Sequence, residues 1–248
     1  VERSRGLGDV YKRQILAFGA HPDDVELSCG GTIAKEVSVG KKVGIVDLTR
    51  GELGTRGSAD LRAKEARQAA SILGVSVREN LGLRDGFFKN DEPHQLDIIK
   101  ILRKYRPNVV LCNAQTDRHI DHGRAASLVH DACFLSGLRK IETFIDDRPQ
   151  KLWRPSQLYH YIQWNNTPCD FVVDISDFID KKMAAILSYG SQFYDEKSKE
   201  PDTPISSQQF LDSIQNRAAD LGRIIGVGYA EGFTTQRQLA VAQISDLI

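Results

Sequence analysis

The 248-residue sequence is poor in several features that would point to particular classes of protein. Its four cysteines, Cys29, Cys112, Cys133 and Cys169, are scattered and form no CxxC pair, which is typical of reduced thiols in a cytoplasm rather than of a disulfide framework. No apolar run approaches the length of about 20 residues that spans a membrane. Lys plus Arg and Asp plus Glu number 33 each, so no net charge attracts nucleic acid or anionic lipid. We therefore expect a cytoplasmic protein whose partner is a small molecule.

The chain is long enough to form one large α/β domain with a sizeable core. Residues 1–14 (VERSRGLGDVYKRQ) carry charges and lack the apolar core of a signal peptide. We assign them to an N-terminal tail, which an expression vector could have contributed. Residues 15–248 are assigned to a single domain.

From residue 15 onward, predicted strands alternate with predicted helices. Apolar and β-branched runs predict strands at 15–19, 42–49, 75–83, 109–112, 158–163 and 171–174. Helical spacing of apolar residues predicts helices at 25–39, 59–73, 95–105, about 124–135, 178–189 and 207–225. Repeated βαβ units specify a Rossmann-like α/β fold, a mostly parallel sheet with helices on both faces. If the strand order is 3-2-1-4-5, the loops after strands one and four meet.

Polar side chains cluster directly after the first predicted strand. The segment AHPDD places His21, Asp23 and Asp24 at the carboxyl end of that strand, where open α/β sheets bind their ligands. His21 and Asp24 are three residues apart, so one helical turn places both on one side while Asp23 points elsewhere. Taken alone, the two aspartates are equally well explained as a helix N-cap.

The loop after the fourth predicted strand contains RHIDHG, with His119, Asp121 and His122. If the two loops meet, His21, Asp24 and His122 form a set of two imidazoles and one carboxylate, which leaves open positions around a metal as in catalytic zinc sites. Asp23 would then act as the general base. A protonated His119, held in that state by Asp121, would stabilise negative charge on a substrate oxygen. Asp121 could instead cap the next helix.

Together, AHPDD and HIDH resemble the motifs of the LmbE/PIG-L family of zinc-dependent N-deacetylases, which act on compounds that contain N-acetylglucosamine. The resemblance covers most of residues 15–233. It implies the same fold, Zn²⁺ as the metal, and the ligand, base and charge-stabilising roles given above. It also implies that Arg62, at the start of the helix after the glycine-rich loop, holds the sugar.

Within the family, segments such as LTRGELGTRGS, DRHIDHG and YAEGF look most like the bacillithiol-pathway branch. That likeness implies N-acetylglucosaminyl malate as substrate, with glucosaminyl malate and acetate as products. It also implies that Gln192, Tyr229 and Glu231 line the pocket and that the chain forms trimers or hexamers. Malate brings two carboxylates, which suit arginines in the site loops. The candidate arginines are Arg50, Arg56, Arg118 and Arg139.

Other functions compete with this interpretation, beginning with deacetylation of another N-acetylglucosamine conjugate. A dinucleotide-binding enzyme would share the fold class, but the first loop lacks G-x-G-x-x-G and places carboxylates where a pyrophosphate needs free amides. A non-haem Fe(II) enzyme would share the two-histidine, one-carboxylate set, although the additional Asp23 and His119 suit hydrolysis better. A non-catalytic binding protein would have no need for all five polar side chains.

Overall fold

The structure is a computed structural model that describes residues 14–246, in which strands and helices alternate. The strands are β1 (Ile15–Gly19), β2 (Val43–Thr49), β3 (Val77–Leu83), β4 (Val109–Cys112), β5 (Phe144–Ile145), β6 (Arg148–Pro149), β7 (Gln157–Tyr161), β8 (Phe171–Asp174) and β9 (Ala230–Thr234). The helices are α1 (Asp24–Ser38), α2 (Ala59–Leu73), α3 (Glu92–Tyr105), α4 (Ile120–Leu135), α5 (Ile179–Leu187) and α6 (Gln208–Ile225). The predicted tail, apart from Gln14, lies outside the described residues.

Seven of these strands form one sheet in the order β3-β2-β1-β4-β7-β9-β8. The first five in that order are parallel neighbours, which confirms the predicted order 3-2-1-4-5 and the predicted Rossmann-like α/β fold. β9 pairs antiparallel with both β7 and β8, so the sheet is mixed at this edge. β5 and β6 form a separate hairpin.

Helices cover both faces of the sheet, and β1 is accordingly buried at all five positions. Ile15 and Ala17 belong to a core cluster that includes residues of α1, α2 and α5. Leu16 and Phe18 point the opposite way, into a cluster with residues of α3 and α4. Among the helices described between residues 14 and 246, none combines the length and the apolar character needed to cross a bilayer.

α4 begins at Ile120, four residues before its predicted start. His119 occupies the N-cap position, where its ring Nδ1 accepts a hydrogen bond from the backbone N–H of Asp121. The boundary prediction was wrong because a histidine cap is not among the usual start signals of a helix. Asp121 and His122 consequently lie in the first helical turn rather than in a loop, and this sets the direction of their side chains.

β9 is a strand that the sequence did not predict. It contains Glu231 and Gly232, residue types that strands disfavour. It forms because β7 and β8, which lie far earlier in the chain, both pair with it. The result places Glu231 inside the molecule, beside α1.

Candidate metal centre

The two predicted motifs meet at the carboxyl ends of β1 and β4, which are neighbours in the sheet. The ring centroids of His21 and His122 are 5.8 Å apart, and the ring of His119 lies 4.7 Å from the first and 5.1 Å from the second. One ring nitrogen from each of the three histidines lies within 4.8 Å of the others. Residues about a hundred positions apart in sequence therefore form one cluster.

Asp24 lies between two of these imidazoles. Its Oδ1 is 3.1 Å from Nε2 of His122, and its Oδ2 is 3.6 Å from Nδ1 of His21. Two ligands that bind one tetrahedral zinc ion at about 2.0–2.1 Å are separated from each other by about 3.3 Å. Both separations are close to that value, although they involve different oxygens of Asp24. Among the described residues, the groups whose ligand atoms all lie within 4.8 Å of one another do not include Asp24, so its place as the third ligand stays a prediction.

The opposite nitrogen of each predicted imidazole ligand is held by a carboxylate. Nε2 of His21 lies 3.0 Å from Oδ1 of Asp85, and Nδ1 of His122 lies 2.5 Å from Oδ2 of Asp117. In metal sites such partners fix the tautomer and the ring orientation, which leaves the other nitrogen for the metal. The sequence analysis did not find Asp85 or Asp117. Their position could have indicated them, because each lies in a loop that follows the carboxyl end of a predicted strand, as the two histidine motifs do.

Two buried amides orient the Asp24 carboxylate. Nδ2 of Asn113 donates to Oδ2 of Asp24 at 2.9 Å, and Nε2 of Gln163 donates to Oδ1 at 3.2 Å. Burial raises the pKa of Asp24, but His122 and His21 together outweigh burial and hold the pKa well below its usual value. The group is therefore an anion with fixed oxygens, as a metal ligand must be.

Asp23 is directed away from this ligand set. Its backbone has a φ of 118°, in the left-handed region, and its Oδ2 lies 3.0 Å from Nη2 of Arg62. Burial raises the pKa of Asp23 to about 7, although the Arg62 guanidinium lowers it. A carboxyl group whose pKa lies near neutrality can accept a proton and return it, as a general base requires.

Arg62 reaches Asp23 from near the start of α2, just beyond the glycine-rich loop, and it is buried. Its Nη2 also donates to Oε1 of Gln192 at 2.6 Å. The loop makes room for it at Gly51, whose φ is +62° and where a Cβ atom would lie 1.9 Å from Nη1 of Arg62. Arg62 and Gln192 line the cavity beside the predicted base. Their contact with a sugar stays a prediction.

The expected contact between the Asp121 carboxylate and His119 is not formed. Oδ2 of Asp121 accepts a hydrogen bond from the N–H of Gly86 at 2.8 Å and lies 3.5 Å from Nε2 of His21. The prediction was wrong because Asp121, in the first turn of α4, turns its side chain towards the loops after β1 and β3. Burial, followed by the neighbouring charge of His21, lowers the pKa of His119. His21, Asp85 and Asp121 form a second group with ligand atoms within 4.8 Å of one another.

Two predicted substrate-binding residues do not line the cavity. The buried Arg56 donates to the carbonyl oxygens of Gln192 and Phe193 at 3.4 and 3.3 Å, so it holds the segment that carries Gln192. Tyr229 packs against a separate apolar cluster that contains Ile175. Sequence alone could not reveal this, since both side chains are directed by irregular loops.

The site opens into a cavity of about 590 Å³. One wall of the cavity is α6, which presents Phe210, Ile214, Arg217 and Leu221 to it at helical spacing. The ring of Trp164 stacks on Phe210, with centroids 5.8 Å apart. We call this part of the cavity, lined by α6 and Trp164, the outer end.

A buried ion pair also lines the cavity. Nζ of Lys182 lies 2.6 Å from Oε1 of Glu231, and the Glu231 carboxylate accepts hydrogen bonds from the N–H groups of Gly31 and Thr32 at 3.0 and 2.7 Å. These two amides follow a break in α1 at Cys29, whose φ is −141° and ψ is 20°. Glu231 therefore caps the second segment of the broken helix. The family resemblance implied that Glu231 lines the pocket, but its role as a cap was not expected, because the two amides lie about 200 positions away in the chain.

A comparison with known families matches residues 16–133 to the PIG-L family, described as GlcNAc-PI de-N-acetylase. The conserved protein TT1542 of Thermus thermophilus superimposes with a TM-score of 0.81 at 36% identity, over 93% of this chain and 98% of that one. The family match covers just under half of this chain, and within that segment the chain is similar to the PIG-L family.

Two further relatives of this chain are named for different reactions. Diacetylchitobiose deacetylase of Thermococcus kodakarensis is 28% identical over 233 residues, which are 89% of this chain and 82% of that protein. The 4-oxalmesaconate hydratase of Pseudomonas putida is 27% identical over 246 residues, which are 93% of this chain and 92% of that protein. The matched region 16–133 contains all the predicted metal ligands and catalytic residues, so the family resemblance extends to the candidate metal centre.

Proposed function

We propose that this protein is a zinc-dependent deacetylase that hydrolyses the acetamide of an N-acetylglucosamine conjugate to the free amine and acetate. One observation carries the proposal: a carboxylate between two carboxylate-held imidazoles lies beside a separate buried carboxyl group, Asp23, whose pKa is raised to about 7. The similarity of residues 16–133 to the PIG-L family, described as GlcNAc-PI de-N-acetylase, supports the same reaction class.

His21, Asp24 and His122 would hold the ion. When bound there, zinc lowers the pKa of a coordinated water and polarises a carbonyl group. Asp23 accepts the proton of the attacking water, and its ion pair with Arg62 fixes the direction of the carboxyl group.

His119 donates a hydrogen bond to the substrate oxygen on which negative charge develops. The neutral ring is sufficient for this role. Its Nδ1 accepts the N–H of Asp121 at 3.2 Å, so the ring proton of the neutral imidazole lies on Nε2, which remains free to donate. This differs from the expected role of Asp121, whose carboxylate contacts His21 instead.

We further propose N-acetylglucosaminyl malate as the first substrate to test. Of the four candidate arginines, Arg118 lines the cavity and could bind a malate carboxylate. Arg50 instead pairs with the exposed Asp60 at 2.5 Å, and Arg139 is exposed and does not line the cavity. The four free cysteines support the cytoplasm as the proposed compartment. Assembly into trimers or hexamers stays a prediction.

The test presents the zinc-loaded protein with N-acetylglucosaminyl malate, diacetylchitobiose, the inositol conjugate of N-acetylglucosamine and free N-acetylglucosamine, and measures amine release. We expect the malate conjugate to have the highest kcat/KM. Preference for any competitor would overturn the malate assignment and leave the reaction class intact. Hydration of 4-oxalmesaconate without amine release from any of the four substrates would overturn the deacetylase. Metal analysis of the active enzyme separates zinc from iron.

A further inference from the structure

The outer end of the cavity carries two guanidinium groups that the proposed chemistry does not use. Arg118, in the loop between β4 and α4, and Arg217, on α6, both line the cavity. Within residues 14–246, no carboxylate forms an ion pair with either group at 4.0 Å or less. The other two cations of the cavity, Arg62 and Lys182, are both neutralised by buried carboxylates at 3.0 and 2.6 Å.

Both unpaired guanidinium groups are anchored on one residue, Trp164. Cζ of Arg118 lies 4.4 Å from the centroid of the Trp164 ring, and Nη2 of Arg217 donates to the Trp164 carbonyl oxygen at 3.1 Å. Both groups therefore contact the same residue although they come from different elements. An arginine on α6 that served only solubility would point outward, whereas Arg217 lies on the helix face that also presents Phe210 and Leu221 to the cavity.

The carboxylate whose charge acts on Arg217 is that of Asp117, and it is fully engaged elsewhere. Its Oδ2 is 2.5 Å from Nδ1 of His122, and its two oxygens accept the backbone N–H groups of Arg118, Trp164 and residue 165. Asp117 thus serves the metal centre and leaves the two guanidinium groups without a counter-ion in direct contact.

Arg217 is half-buried, and burial lowers its pKa, although a guanidinium remains charged at neutral pH. A partly desolvated charge has lost hydration that only an opposite charge or hydrogen-bond acceptors can replace. A bound carboxylate would do both, because the planar guanidinium can donate two parallel hydrogen bonds to it.

We propose that Arg217 is a specificity-determining residue, and that Arg118 and Arg217 together form a subsite for an aglycone with two carboxylates, one for each guanidinium. The inference rests on the proposed deacetylase function and adds a second, so far unassigned, recognition residue from α6. On this proposal, the outer end of the cavity selects substrates by the negative charge of the aglycone.

The test compares N-acetylglucosaminyl malate with its dimethyl ester, which lacks both negative charges and carries two added methyl groups, as substrates of the zinc-loaded enzyme. In the unmodified enzyme, we expect kcat/KM for the diacid to exceed that for the diester by about 10- to 100-fold, the range given by charge-assisted hydrogen bonds. Arg217→Gln should raise KM for the diacid by about tenfold or more, with a much smaller change in kcat. The two substrates should then approach equal kcat/KM.

Arg223→Gln is the matched control. Arg223 lies on the same helix, is exposed and pairs with Asp220 at 2.8 Å, so its replacement should keep the wild-type preference. An Arg217→Gln enzyme that retains the full preference, or a wild-type enzyme that does not distinguish acid from ester, would refute the subsite. If neither substrate is hydrolysed, the deacetylase proposal fails, and calorimetric binding of glucosaminyl malate decides the subsite separately. Arg217→Gln must then weaken that binding by about tenfold or the inference is wrong.

Discussion

Replacing Asp117 with asparagine tests how the candidate metal centre is held. The change removes the charge that lies 2.5 Å from Nδ1 of His122, while the amide oxygen can still accept hydrogen bonds from the backbone. Loss of such a partner typically lowers metal affinity by about 10- to 100-fold, or about 1.4 to 2.7 kcal/mol. We expect zinc affinity, measured by competition with a chelating indicator, to fall by that factor in the Asp117→Asn enzyme.

The size of this loss should depend on pH, through the pKa of His122. Burial lowers that pKa, but Asp24 and Asp117 outweigh burial and raise it to about 9. Below pH 9 a proton therefore competes with the metal for the His122 ring, and at pH 7 this competition lowers the apparent zinc affinity by about 100-fold. Without the Asp117 charge the pKa of His122 falls and this competition weakens. The affinity deficit of the variant should be largest near pH 9 and should shrink towards pH 7.

The matched control is Asp131→Asn. Asp131 also pairs with a histidine, His130, at 3.2 Å, but on the surface and away from the ligand set. This variant should bind zinc like the unmodified enzyme at every pH. If Asp117→Asn binds zinc normally, or if its deficit is the same at pH 7 and pH 9, then His122 does not bind the metal in the manner described.

Three further changes test other parts of the site. Asp23→Asn should lower kcat by about 100- to 10,000-fold while zinc content stays near one per chain, and normal turnover would remove Asp23 as the base. Gly51→Ala should push away the Arg62 guanidinium that contacts Asp23, and so lower both activity and thermal stability. Gly82 is the control, because it has a similar φ of +64° but no atom within 4 Å of an added Cβ. Gly82→Ala should therefore lose only about 1 to 2 kcal/mol of stability, the cost of a left-handed backbone in a residue with a side chain. Lys182→Met should lower the free energy of unfolding in urea by about 3 to 5 kcal/mol, because it leaves the buried Glu231 carboxylate unpaired. If the unpaired charge is the cause, the double variant Lys182→Met/Glu231→Gln must lose less stability than Lys182→Met alone.

The sequence predicted the parts of the molecule that follow from strand order. Periodicity located β1 and β4 to the residue, and the rule that parallel strands end at one edge brought His21 and His122 together. Asp24 was predicted beside them from its spacing alone. These inferences succeeded because they depend on short-range pattern and on topology, and neither requires knowledge of side-chain contacts.

The remaining errors and omissions share one physical cause, which is that a side chain's partner can lie anywhere in the chain. Arg56 lies in a loop near the site but turns to carbonyl groups 136 and 137 positions away. Asp121 was placed beside His119 by proximity in sequence, yet the first turn of α4 directs it to His21. Arg217 and the capping role of Glu231 were missed because α6 and β9 become part of the site only after the sheet has formed.

The division of the site along the chain suggests how proteins similar to this chain can be named for different reactions. The family match ends at residue 133, and the described side chains grouped closely enough to bind a metal all lie before that point. At the outer end of the cavity, Trp164 and α6 lie beyond that point, and only Arg118 comes from the matched region. Metal chemistry can therefore persist while the later segments change which substrate, and which electrophilic atom of it, reaches the metal. On this argument Arg217, rather than any residue of the two motifs, is the position at which relatives with neutral and with anionic substrates should differ.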